Sequence, residues 1–504
     1  MSAMHRGLFG VLAAAAILLA AACDEGNDYA IGMELVSPVD QDPFQGLSKL
    51  VFTVADANDA ESQDVLEYNP SEGFSSLDVS LDLDYYAEFV AEAKGLGVEG
   101  ETVACGRTPR ITASLYDGAS FAVWFSRPAT IARPPFALDR PRAGLRLAMP
   151  NEADVVIVGG EARDKDGAPH DTVPAVGYLS PPTLTMDLLK RGEDTVVVGA
   201  GLVGCAAAVL DSQSVLAVGG YARSGEQTTW QKTPLVLSSA DEEIVTAVEL
   251  GVAFTPRVGH QAVSLGEALA VLVCGGEDER NQALDDCVRI DAGARKLTRA
   301  EPLIAPRAGH TQTALFDDDL NPVGVLVAGG QQTADAPFAE WRSGDDGASI
   351  PLDVEAAPAL VGHAAVALDD GRVLIAGGRF GGAPTDRCWI FDSLCADGSC
   401  DAFGKPHACL TTPRSGHTLT AVTSKTLVAC GGEGPEGSAL ADCEVLEDRG
   451  DEARFVVALP MTRARTGHDA IRLPDGTLLI AGGFNEAEGA LDAVDILNPG
   501  RDWP

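Results

Sequence analysis

Val373-Leu-Ile-Ala-Gly377-Gly378 is a short apolar run closed by two glycines, and the chain repeats it six more times. The other copies are Val155-Val-Ile-Val-Gly159-Gly160, Val215-Leu-Ala-Val-Gly219-Gly220, Val271-Leu-Val-Cys-Gly275-Gly276, Val325-Leu-Val-Ala-Gly329-Gly330, Leu427-Val-Ala-Cys-Gly431-Gly432 and Leu478-Leu-Ile-Ala-Gly482-Gly483. Successive glycine pairs lie 60, 56, 54, 48, 54 and 51 residues apart. Four apolar residues between turn signals read as a strand buried on both faces. Two glycines at its end suit a backbone that leaves the strand at positive φ, close to a neighbouring unit. A period of this size marks an array of small β units.

Upstream of most glycine pairs stands Gly-His, then a strand, then a turn such as Asp370-Gly371 or Asp475-Gly476. The two elements form a hairpin. A third strand follows, such as Ala493-Val-Asp-Ile-Leu497, and often a fourth, such as Phe455-Val-Val-Ala-Leu459, so each repeat predicts a four-stranded antiparallel sheet.

This succession, with Pro-Arg-x-Gly-His opening the next unit, resembles the kelch repeat. The resemblance covers about residues 136–504, although the first two repeats carry Gly144-Leu145 and Gly204-Cys205 in place of Gly-His. It implies an all-β chain whose residues 133–504 form a seven-bladed kelch-type β-propeller. The seventh repeat ends one strand short, so the segment Phe136-Ala-Leu-Asp139 is expected to complete it and leave no open edge. In kelch propellers that bind acidic peptides, arginines ahead of the first strand line the channel mouth. Arg142, Arg257, Arg307, Arg414 and Arg465 hold that position here, with Leu202 and Leu360 in the other two repeats. By resemblance they are candidate ligand-binding residues for an anionic group, the alternative being that each pairs with a neighbouring blade's acid or carbonyl.

The N-terminus reads as an export signal over residues 1–22, with Arg6 followed by the apolar run from Leu8 to Ala22. Ala20-Ala21-Ala22-Cys23 resembles the lipobox of bacterial lipoproteins, which implies lipidation of Cys23 and an extracytoplasmic protein anchored to an inner or outer cell-envelope membrane. A tether of residues 23–30 then leads to residues 31–132, which lack the repeat. Runs such as Lys49-Leu-Val-Phe-Thr-Val54, Tyr85-Tyr-Ala-Glu-Phe-Val-Ala91 and Ser120-Phe-Ala-Val-Trp-Phe125 predict a small β-sandwich there.

With lipidated Cys23 set aside, ten of the 11 cysteines remain for an oxidising compartment. Cys274 and Cys287, like Cys430 and Cys443, lie 13 residues apart at the same repeat position, which predicts two disulfides between adjacent strands. Cys395–Cys400 and Cys388–Cys409 are expected in the loop of the fifth repeat, leaving Cys105–Cys205 by elimination.

A net charge of −38 argues against nucleic acid as a partner. Gly199, Gly201 and Gly204 match a dinucleotide fingerprint, but the following residues continue the repeat hairpin and leave no room for its helix. His260, His310, His363, His417 and His468 share one repeat position; spread around a ring, they are expected to make a structural hydrogen bond in each blade and not a metal site. Kelch-like copper oxidases use tyrosine with histidine, and only Tyr178 and Tyr221 fall within the repeats. With no cofactor, metal site or catalytic constellation in view, the chain is expected to be a monomeric binding or scaffold protein. Its propeller face would recognise a protein or glycan, and its only membrane attachment would be the lipid. The alternative is a sugar-active hydrolase, lyase or epimerase of the envelope.

Overall fold

The computed structural model describes residues 16–20 and 30–500. It leaves out 59–62, 69–87, 196–201, 239–243, 345–348, 355–358, 448–453 and other stretches of one to three residues. Cys23, Gly199 and Gly201 lie outside the described residues. Among those described, the chain is all-β: antiparallel sheets predominate, with two short 3-10 turns and no α-helix. It divides into Met1–Pro128 with Pro182–Leu184, and Ala129–Pro181 with Thr185–Pro504.

In the first unit, Lys49–Asp56 and Glu88–Leu96 alternate buried and half-buried residues, as half-buried strands should. They pair with each other and with Gln63–Tyr68 and Thr102–Arg107. Ala30–Val36 pairs in parallel with Ser120–Trp124. Leu50, Phe52 and Phe89 of the first sheet share one apolar core with Ile31, Met33 and Phe121 of the second. The apolar run read as a leader contributes Ala16–Ala20, an edge strand antiparallel to Ala30–Val36.

The second unit holds seven sheets of four or more strands, one per repeat. The third sheet also holds the earlier strand Glu249–Leu250; taken as the strand that pairs ahead of each Gly-Gly run, the first strands are Ala143–Asn151, Ala206–Asp211, Gln261–Ser264, Thr311–Phe316, Ala364–Ala367, Thr418–Ala421 and Asp469–Arg472. Each pairs with the apolar strand that ends in Gly-Gly, which pairs in turn with the third strand. Ser214–Val218 and Ala270–Cys274 are buried at every residue, whereas every residue of Gln261–Ser264 and Ala364–Ala367 is half-buried. Apolar side chains on both faces of the second strand pack between sheets, and each Val, Leu or Ile buried contributes about 1.5–3 kcal/mol. First strands of successive sheets pack on one another in chain order, and that of the seventh packs on that of the first.

The strand completing the seventh sheet is Thr130–Ala132, antiparallel to Val494–Asn498. The sequence reading placed it at residues 136–139. Those residues instead run past the sheet end, where the N–H of Leu138 donates to the carbonyl of Asp492 at 3.0 Å. Pro134 and Pro135 cannot donate to a ladder, so pairing stops before them. The second unit accordingly begins at Ala129 and not at residue 133.

Candidate functional site

The Gly-Gly pair, with the arginine and the histidine where the repeats carry them, forms a joint at each seam between sheets. The second glycine's N–H donates to a backbone carbonyl at the start of the next repeat: Gly220 to Arg257 at 2.7 Å, Gly276 to Arg307 at 2.8 Å, Gly378 to Arg414 at 2.8 Å and Gly432 to Arg465 at 2.9 Å. Gly160 and Gly330 bond Leu202 and Leu360 in the same way, and Gly483 of the last repeat bonds Arg142 of the first at 3.0 Å. The seven bonds form a cycle.

The first glycine makes room for the next repeat's histidine. A Cβ on Gly275, whose φ is +65°, would stand 2.6 Å from Cε1 of His310 and 2.7 Å from the Arg307 carbonyl oxygen. Gly219, Gly329, Gly377 and Gly431 face His260, His363, His417 and His468 in the same manner. The two repeats without histidine fill the space differently: Leu145 packs on Gly482, and the Cys205 thiol on Gly159.

The five arginines do not line an opening, which corrects their reading as ligand-binding residues. The side chains of Arg142, Arg257, Arg307, Arg414 and Arg465 are all 0% exposed. Nη1 of each donates to the first-glycine carbonyl of its own repeat, at 3.4, 3.1, 2.9, 2.8 and 3.1 Å in that order. Arg142 also pairs with Asp139, Arg257 with Asp286, Arg414 with Asp442 and Glu444, and Arg465 with Asp495. Arg307 uses the carbonyls of Pro337 and Phe338. The alternative reading is corrected too, because each partner belongs to the arginine's own repeat. A buried turn carbonyl needs a donor, and a guanidinium buried to supply it needs a carboxylate or further carbonyls.

The histidines are buried as well. Nε2 of His260 donates to the Val218 carbonyl at 2.9 Å, while Nε2 of His363 and His468 lie 3.0 and 3.2 Å from the hydroxyls of Thr311 and Thr418. His310 and His417 have no hydrogen-bond partner among the described residues, so the expected bond is not made in every repeat. Burial pulls all five imidazoles below the ordinary histidine value: His260 and His468 to about 3, His363 to about 4, and His310 and His417 well below it. Among the described residues no cluster of histidine, cysteine and carboxylate side chains has the arrangement to hold a metal ion.

Four cysteine pairs stand at disulfide distance. Cα separations are 4.2 Å for Cys274–Cys287, 4.0 Å for Cys430–Cys443, 5.8 Å for Cys388–Cys409 and 4.9 Å for Cys395–Cys400. No disulfide joins Cys105 to Cys205. Cys105 sits in the first unit, bridging backbone to backbone with Ser126, and Cys205 is buried in the second, where burial raises its thiol to about 11.

The residue after Gly-His is the position the sequence reading missed. It reads Arg146, Ala206, Gln261, Thr311, Ala364, Thr418 and Asp469 around the seven sheets. All but Ala206 are partly exposed on the first strands. Aligning the repeats one residue past the histidine finds them. A separate cavity of about 210 Å³ lies against residues 137–139 and the first sheet, but its Asp139 is taken by Arg142.

No protein-family model matches the chain, and no curated protein is similar to it. Among solved structures, that of a protein called YjhT is similar, at 14% identity and a TM-score of 0.46, over 64% of this chain and 99% of that one.

Proposed function

We propose that residues 129–500 form a seven-bladed β-propeller of kelch type, carried behind a small β-sandwich and used to bind a protein or glycan ligand at a bacterial cell envelope. The observation carrying this reading is the cycle of seven glycine hydrogen bonds that ties every sheet to the next and the last to the first. Such a frame is rigid, and the loops it holds are free to vary and to recognise a partner. The most distinctive polar residues of the repeat, arginine and histidine, are spent inside the frame, so recognition falls to the loops and to the partly exposed first strands.

Export and lipidation at Cys23 belong to the same proposal. Cysteine pairs at disulfide distance support an oxidising compartment. Among the described residues no helix is long and apolar enough to cross a membrane. The experiment is labelling of growing cells with an alkyne fatty acid, with capture of envelope material on the purified chain. Wild type should be labelled and Cys23→Ala should not. A ligand should be retained by the intact chain and lost when it is unfolded; equal labelling of the variant, or only unfolding-independent capture, refutes the reading.

A further inference from the structure

On three sheets the residue after Gly-His reaches toward the next sheet and is satisfied there. Thr311 and Thr418 meet His363 and His468, and Asp469 Oδ2 accepts the N–H of Leu147 at 2.9 Å. Arg146 holds this position on the first sheet, and the second sheet has Cys205 where the histidine would stand. Its neighbours Ala206 and Ala208 are also small. The guanidinium therefore meets no imidazole. Among the described residues its one hydrogen bond runs from Nη1 to the carbonyl of Leu145 at 3.2 Å.

Among the described residues Asp469 forms no ion pair with Arg146, and its second oxygen accepts the N–H of Ala470 at 2.9 Å. Unlike the five fully buried arginines Arg146 is partly exposed, so solvent reaches it.

We propose that Arg146 is the anion-binding group of a ligand site at the seam of the first and second sheets, and that the site takes a small monocarboxylate. A guanidinium with unused donors matches a carboxylate fork. A monocarboxylate brings one negative charge toward the Asp469 carboxylate and a phosphate nearly two, so the phosphate meets the stronger repulsion. This deepens the propeller reading and rests on it.

The test titrates the full chain, purified in detergent, with acetate and benzoate, using acetamide and inorganic phosphate as controls, and follows thermal unfolding and calorimetry. The carboxylates should stabilise the chain saturably and the controls should not. Arg146→Gln should weaken binding about tenfold or more while its ligand-free melting stays near wild type, and Arg146→Lys, which keeps charge but not the fork, should fall between. No saturable carboxylate effect, an equal response to phosphate, or equal binding by Arg146→Gln overturns the site. A cross-link between Ile131→Cys and Leu497→Cys tests the ring separately. A chain that cross-links but does not titrate loses only this site, and one that does neither loses both.

Discussion

At the scale of single residues, Gly275 and His310 make one joint. Alanine at Gly275 must hold a φ of +65° and intrude on the imidazole. Left-handed backbone alone costs about 1–3 kcal/mol, and Gly275→Ala should destabilise by more than about 2 kcal/mol in denaturant unfolding. Adding His310→Ala should recover part of that loss, since the two sites are in contact. Strict additivity would show that the glycine is there for its φ alone. Arg414 makes a second case: its partner Glu444 is 0% exposed and also accepts the N–H groups of Thr411 and Thr412. Arg414→Met strands that carboxylate, and the expected cost is about 3–5 kcal/mol. A loss under about 1 kcal/mol would mean the pair is dispensable.

At the scale of elements, the strands and hairpins were legible because each Gly-Gly run carries its own turn and its own apolar length. The arginines were legible as a recurring position but not as a role. A surface loop and a buried turn both ask for Arg two residues before Gly, and only the carbonyls of Gly275 or Gly431 decide between them. The closing strand was legible as a need. Its place is set by the prolines at 134 and 135, where pairing has to stop, and the repeat pattern alone does not show it. Arg146 was hidden because its importance comes from what the next sheet lacks.

The strand register also explains the cysteines. Cys274 faces Cys287 and Cys430 faces Cys443 directly across the ladder, and the residues before the later cysteines, Asp286 and Asp442, hold Arg257 and Arg414. Peptide mapping without reductant should find all four pairs, with Cys205 alkylated only after unfolding. Replacing Cys274 and Cys287 together by alanine should cost about 2–4 kcal/mol. Mapping that finds Cys274 and Cys287 as thiols would contradict the register.

At the scale of the whole molecule, five neutral imidazoles are locked into five of the seven seams. Their folded-state values lie below the unfolded value of about 6.5. In acid the unfolded chain therefore binds more protons. The stability they contribute is fully present above about pH 6.5 and falls as pH drops toward 4, by up to about 1.4 kcal/mol per pH unit for each imidazole. Glu340 and Asp469, whose carboxyls burial pushes upward, pull the other way but are fewer. Urea unfolding at pH 7 and pH 5 should show a marked loss at the lower pH, and His310→Phe should reduce the slope. A pH-independent midpoint would mean that the imidazoles are not buried neutral.

The central claim is that the last repeat is closed by a strand from the start of the second unit, making a ring of seven. Ile131 and Leu497 are directly paired across that junction. With cysteines at both positions in an otherwise unchanged chain, oxidation should give a disulfide between the two peptides in non-reducing mass spectrometry, with a higher melting temperature that reductant reverses. Two free thiols at these positions in the folded, oxidised protein would contradict the closure and with it the ring.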